Sequence, residues 1–160
     1  MLNEIITASI VTPAGTLRIS ARSGILDGVV FDDSSAERHI PDELSSIAVQ
    51  LDDYFSGRRQ TFDIDIEPDG TAFQLAVWKI VMNIPYGKTL TYKEIAQQMG
   101  VKNGARAVGL AVGANPLLVV VPCHRVIGSR GQLSGYAGGI DRKKWLLRHE
   151  AANMRFQLKA

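Results

Sequence analysis

The chain is poor in the residues that most often hold metals or make cross-links, with one cysteine, Cys123, and three histidines in 160 residues. A single cysteine excludes an internal disulfide, and no cysteines or histidines stand at the spacing of a zinc site, so no metal is expected; nor is a cofactor expected. No uncharged apolar run approaches the ~18 residues that a membrane span needs. The opening MLNEIITASI has no basic stretch ahead of its apolar residues and places Glu4 early, which is not the pattern of a secretory signal. The reducing cytoplasm is therefore the expected setting, where a lone thiol stays usable. What is present is globular in character. Hydrophobic residues make up 46% and charged residues 21%, enough to bury a core in one ordinary domain or two small ones.

Charge is divided unevenly. Residues 1–70 hold 13 acidic and 5 basic side chains, whereas residues 71–160 hold 3 acidic and 13 basic ones. Two readings are open: solvated faces that simply differ, or a basic surface for a polyanion confined to the second half. Charge alone does not choose between them.

The first half reads as a small antiparallel sheet. EIITASIVT, TLRISAR and ILDGVVFD are β-branched runs separated by turn residues. In PDELSSIAVQLDDYFSG, residues Leu44, Ile47, Ala48, Leu51, Tyr54 and Phe55 fall at helical spacing, with Pro41 suited to the first turn and Gly57 to the stop. TFDIDIE, residues 61–67, alternates apolar and acidic residues like a half-buried strand. His39 reads as solvated, and EPDG at 67–70 as a linker, which divides the chain into domains 1–70 and 71–160.

Beyond the linker, Phe73, Val77, Ile80, Val81 and Ile84 form one stripe of a helix with Thr71 as its N-cap, and Trp78 reads as packing. A turn at Pro85–Lys88 precedes a helix from Thr91 to Met99 that Gly100 ends. KNGARAVGLAVGAN begins another helix, and two short helices joined through a glycine have the form of a helix-turn-helix. Ala105, Gly109 and their neighbours give that second helix a smooth face on which Arg106 is the only charge. Such a face suits either tight helix packing or close approach to DNA with little reading of sequence.

The apolar run ending at Val121 reads as a buried strand that stops at Pro122, with Cys123 and His124 directly after it. On a strand their side chains would point to opposite faces, so a bridging water or a local turn is needed to couple them. Taken alone the cysteine reads as a small buried hydrophobe more often than as a nucleophile activated by imidazole. The wider block is more specific. NPLLVVVPCHRVIGSRGQLSGYAGG followed by KKWLLRHE, together with FQLAVWKIVMNIPYGKTLTYKEIA and ARAVGLA upstream, resembles the O6-alkylguanine-DNA alkyltransferases, also called methylated-DNA–protein-cysteine methyltransferases. The likeness covers about residues 71–150.

The resemblance implies an α+β fold, with a small RNase H-like N-terminal sheet and helix followed by a C-terminal winged helix-turn-helix domain. It implies that Cys123 takes the alkyl group irreversibly, that His124 removes its proton through water, that Glu150 orients His124 and that Asn115 braces the turn. For Glu150 a surface ion pair at a helix end is the alternative. Tyr92 would donate to the guanine ring; Val126, Tyr136 and Ala137 would line the base pocket. Arg106 would fill the gap left by a flipped base, with Ala105, Gly109 and Arg125 also facing DNA. The partner so implied is double-stranded DNA carrying O6-alkylguanine, bound through the minor groove by a monomer, and no membrane. Two positions depart from relatives: Gly113 stands where some carry arginine, and Ala137 where some carry serine. The reading also requires the sulfur to be reachable from a cavity that admits a purine.

Overall fold

β-branched residues and two tight turns shape the start of the chain. The computed structural model describes residues 4–35 and 39–159, with side chains described up to residue 154. Strands β1 (Ile5–Thr12), β2 (Gly15–Arg22) and β3 (Ile25–Phe31) form an antiparallel sheet in the order β1-β2-β3. β2 buries Leu17, Ile19 and Ala21, the alternate residues that pleating turns to one face. Its register with β3 shifts between Ser20 and Ala21. Gly28 lies opposite that bulge, where a Cβ would stand 2.5 Å from the Ser20 hydroxyl and force it to turn away. A 3-10 turn at Asp42–Leu44 leads into α1 (Ser45–Phe55), which buries Ile47, Ala48, Leu51, Tyr54 and Phe55 on its predicted stripe.

The stretch 61–67 is not the strand its alternation suggests. Its one bridge is Leu26 to Ile66, and the buried Gln50 amide takes both the Asp63 N–H and the Asp63 carbonyl, groups a ladder would otherwise use. The chain divides into two units, Met1–Asp69 with Pro116–Val120, and Gly70–Asn115 with Val121–Ala160. Residues 116–120, expected with the second domain, cluster with the first because Val29 bonds them on both sides. Its N–H donates to the Pro116 carbonyl at 2.9 Å, and its carbonyl accepts from Leu118 N–H at 3.1 Å.

The second unit begins with α2 (Ala72–Met82), where Thr71 and Gln74 form a reciprocal capping box; Thr91 and Glu94 do the same for α3 (Tyr92–Gln98). Each cap contributes about 1 kcal/mol. α4 (Ala105–Gly113) packs against α2 and α3 through Val108, Ala111 and Val112. Trp78 is buried and donates from Nε1 to the Ala111 carbonyl at 2.9 Å, so it is packing, as expected. Short strands β4 (Leu90–Thr91) and β5 (Val126–Ile127) pair in parallel. The last helix is α5 (Ile140–Lys159).

The apolar run 117–121 forms a buried turn and not a strand. Val119 adopts φ +73°, a left-handed conformation that a β-branched residue enters only under constraint. Cys123 accordingly stands on a 3-10 turn, Cys123–Arg125, and not at the mouth of a strand.

Candidate active site

The site grows from two points of the second unit that one side chain ties together. Asn115, just past α4, donates from Nδ2 to the Val121 carbonyl at 2.9 Å, tying together the two points where the chain leaves and re-enters this unit. The backbone then tightens: Cys123 N–H donates to Val121 O at 2.7 Å and Arg125 N–H to Pro122 O at 2.9 Å. A 3-10 turn has about three residues per turn, so Cys123, His124 and Arg125 point in three directions. Each therefore meets a different partner.

His124 and Glu150 are fully buried, and His124 Nε2 donates to Glu150 Oε2 at 2.6 Å. Burial holds the imidazole below its ordinary pKa, against the opposing pull of Glu150, so it is neutral near pH 7. With its proton on Nε2, the lone pair of Nδ1 is left to accept, and Nδ1 has no partner among the described residues. That is the arrangement of a base waiting for a proton.

Glu150 is held from several sides. Arg125 donates from Nε to Oε1 at 2.8 Å and from Nη2 to Oε2 at 3.0 Å, and Gly87 N–H reaches Oε1 at 3.1 Å. Arg125 Nη1 also donates to the Ile84 carbonyl at 2.7 Å. Burial by itself would raise the carboxyl, but the His124 and Arg125 bonds overcome it and hold the group well below the usual carboxylate range. The folded pKa thus lies below the unfolded one, so this contribution to stability is complete above the ordinary glutamate range and is lost as pH falls beneath it. The melting temperature is expected to drop steeply below about pH 4, and Glu150→Gln to flatten that drop, as calorimetry across acidic pH would show.

Arg125 corrects an expectation. It is buried, and its guanidinium is committed to Glu150 and to backbone, so it is the counter-ion of Glu150 and not an exposed DNA-facing cation. Glu150, for its part, is buried against His124 and Arg125 and is not a surface charge.

Cys123 is completely buried. Burial pushes its thiol up to about 12, opposed by the Lys143 cation and by a hydrogen bond from Asn115. Lys143 is also fully buried on α5; burial brings its ammonium down to about 8, offset in part by Cys123. Its Nζ donates to the Ser134 carbonyl at 2.9 Å and to Tyr92 Oη at 3.3 Å, while Tyr92 Oη donates to the same Ser134 carbonyl at 2.7 Å. Tyr136 lies edge-on to the His124 ring at 6.4 Å. Its hydroxyl is buried without a partner among the described residues.

The structure therefore brings Cys123, His124, Glu150, Asn115, Tyr136 and Arg125 into one buried cluster and joins Tyr92 to it through Lys143. Val126 is buried at the start of β5, whereas Ala137 is exposed. Arg106, Ala107 and Leu110 form the exposed face of α4, flanked by half-buried Ala105 and Gly109. The expectation of a reachable sulfur is not met in this conformation. Cavities of about 470 Å3, lined in part by Arg22 and Asp27, and about 510 Å3, lined in part by Lys93 and Lys102, do not include Cys123.

Sequence reasoning passed over Lys143. The signal was available: Lys143, Leu146 and Glu150 share one face of a helix, and all three are buried. Two charged residues on an apolar stripe mark groups whose partners lie elsewhere in the fold.

Comparison with known proteins gives a consistent picture. The family described as 6-O-methylguanine DNA methyltransferase, DNA binding domain, matches residues 72–152. A methylated-DNA–protein-cysteine methyltransferase of Methanosarcina barkeri is 54% identical over 108 residues, 68% of this chain and 68% of that protein. One from Mycolicibacterium paratuberculosis is 42% identical over 153 residues, 89% of this chain and 93% of that protein. Among solved structures, the O6-methylguanine methyltransferase of Mycobacterium tuberculosis is similar with a TM-score of 0.86 at 40% identity, covering 94% of each chain. The same organism's protein in complex with DNA gives 0.85 at 42% identity, covering 92% of this chain and 93% of that one.

Proposed function

Because the chain belongs to the family of methylated-DNA–protein-cysteine methyltransferases, we propose that its second unit repairs DNA by moving the alkyl group of O6-alkylguanine onto Cys123, once per molecule. The observation that carries this reading is the buried relay: a neutral His124, held at Nε2 by Glu150 and unpartnered at Nδ1, on the same turn as the only thiol.

The chemistry follows from those positions. A thiol held near 12 is protonated at neutral pH and inert toward stray electrophiles. When an alkylated guanine is seated, Nδ1 takes the thiol proton through a water, and Glu150 stabilises the imidazolium that forms. Sγ attacks the alkyl carbon, the bond from that carbon to O6 breaks, and its electron pair leaves with the purine. The proton taken from sulfur ends on the purine, through His124 and solvent. Tyr92 Oη and Lys143 Nζ, two donors at one point, offset the charge that develops on the leaving base. A thioether remains, which thiol exchange does not reverse, so each chain reacts once. This is why one cysteine is enough.

The base must first leave the duplex, at a cost of a few kcal/mol. α4 supports a minor-groove approach with little sequence preference: its exposed face offers small residues, Leu110 and a single charge, Arg106. Arg106 would occupy the vacated stack and offset part of that cost. Arg106→Ala is therefore expected to slow repair of a methylated duplex by at least tenfold and to leave the reaction with free O6-benzylguanine nearly unchanged. Equal losses on both substrates, measured as single-turnover rates, would remove that role. The same reading has the chain acting as a monomer in the cytoplasm, with DNA binding and alkyl transfer in residues 71–160 and no chemistry in residues 1–70.

A further inference from the structure

Cys123 has no exposed surface, yet a purine must reach it. Lys143, Tyr92 and Tyr136 lie close enough to interact with its charge, and the loop that carries Tyr136 is bound to the other two. The Ser134 carbonyl accepts from Tyr92 Oη at 2.7 Å and from Lys143 Nζ at 2.9 Å, two donors on different helices converging on one backbone oxygen. The next residue lies close to the same phenol, since a Cβ on Gly135 would stand 3.3 Å from Tyr92 Oη. From the other side, a Cβ on Gly113 of α4 would stand 3.1 Å from the Gly135 carbonyl. The loop backbone is thus seated on the tyrosine and on the end of α4. One residue further on, Tyr136 is buried, and its hydroxyl has no partner among the described residues.

Each end of this segment is a glycine in a left-handed conformation. Gly131 and Gly139 have φ of +80° and +93°, and a Cβ at either would meet nothing within 4 Å. Between them the chain forms neither helix nor strand.

Granted the transfer reaction proposed above, we infer that residues 131–139 form a gate over Cys123, latched by the Ser134 carbonyl, which occupies the Tyr92 and Lys143 donors in place of an acceptor on the purine. Opening the gate takes the Ser134 carbonyl from both donors, and for the buried Lys143 ammonium that loss is unfavourable unless another acceptor arrives. A flipped purine brings one. A small electrophile does not, so it meets a closed site. The latch makes the Ser134 backbone a specificity determinant: it sets which molecules can open the way to a thiol that works only once.

Because Cys123 is the only thiol, its labelling by iodoacetamide reads the gate directly and needs no DNA. Tyr92→Phe removes one of the two latch bonds. Gly113→Ala leaves both donors in place and presses a methyl group against the Gly135 carbonyl, so it tests the gate even if the tyrosine variant does not fold. Both folded variants are expected to label at Cys123 several-fold faster than the natural chain, by mass spectrometry over time, while Tyr92→Phe takes methyl from duplex DNA more slowly. Labelling no faster than the natural chain in the folded variants would overturn the gate. A natural chain that labels slowly but takes no methyl from DNA would instead overturn the transfer reaction, so the two failures are told apart.

Discussion

Cys123→Ser is expected to bind duplex DNA as the natural chain does and to transfer nothing. The substitution is close to isosteric, and the serine hydroxyl can keep the hydrogen bond from Asn115, so the turn at Cys123–Arg125 and the face of α4 should persist. Sulfur, however, is the better nucleophile and the more readily ionised group, and a buried hydroxyl beside the same neutral imidazole stays protonated. Binding measured by fluorescence anisotropy should change less than twofold, and methyl transfer should fall below detection. A loss of both together would mean that the variant had misfolded, which circular dichroism would reveal. Full retention of repair would point to a binding module with no covalent chemistry at Cys123.

The second large effect concerns stability as well as rate. Glu150→Ala removes the acceptor of His124 Nε2, of two Arg125 nitrogens and of the Gly87 N–H at once. Arg125 would remain buried with its charge uncompensated, a situation that costs about 3–5 kcal/mol. For a chain of this size that is a drop in melting temperature of roughly 10 °C. Glu150→Gln keeps an acceptor of similar shape and is expected to lose less stability, yet it no longer stabilises the imidazolium, so transfer should fall by at least tenfold in a protein that is still folded. The contrast separates the positioning role of Glu150 from its structural one. Similar activity in the glutamine variant and the natural chain would leave only the structural role.

Some of this was legible in the sequence because local rules and tertiary context agree there. Thr71 and Thr91 are followed three residues later by Gln74 and Glu94, and both pairs make the boxes that this spacing allows. The stripe of α1 and the packing role of Trp78 were readable for the same reason. Where a side chain competes with the backbone, local rules fail. Gln50 takes the Asp63 groups that would extend a strand, and Val29 engages residues 116–118 so that an apolar, β-branched run turns instead of extending.

In the site itself, Cys123, His124 and Glu150 stand in sequence motifs, and their roles are what the resemblance implies. Arg125 and Lys143 were not readable in this way. A basic residue in a basic half of the chain looks solvent-facing until the fold supplies a buried carboxylate for Arg125 and a tyrosine and a carbonyl for Lys143. The sealing of Cys123 likewise depends on how the backbone of residues 134–136 is seated, and no side-chain pattern records that.

The central claim is that the lone sulfur is consumed by the lesion. Intact-chain and peptide mass spectrometry after incubation with excess O6-methylguanine duplex tests it most directly. The account predicts one added methyl per chain, on the peptide containing Cys123, with repair stopping at one equivalent of lesion. An unmodified Cys123 peptide alongside repaired DNA, or continued turnover beyond one equivalent, would contradict it.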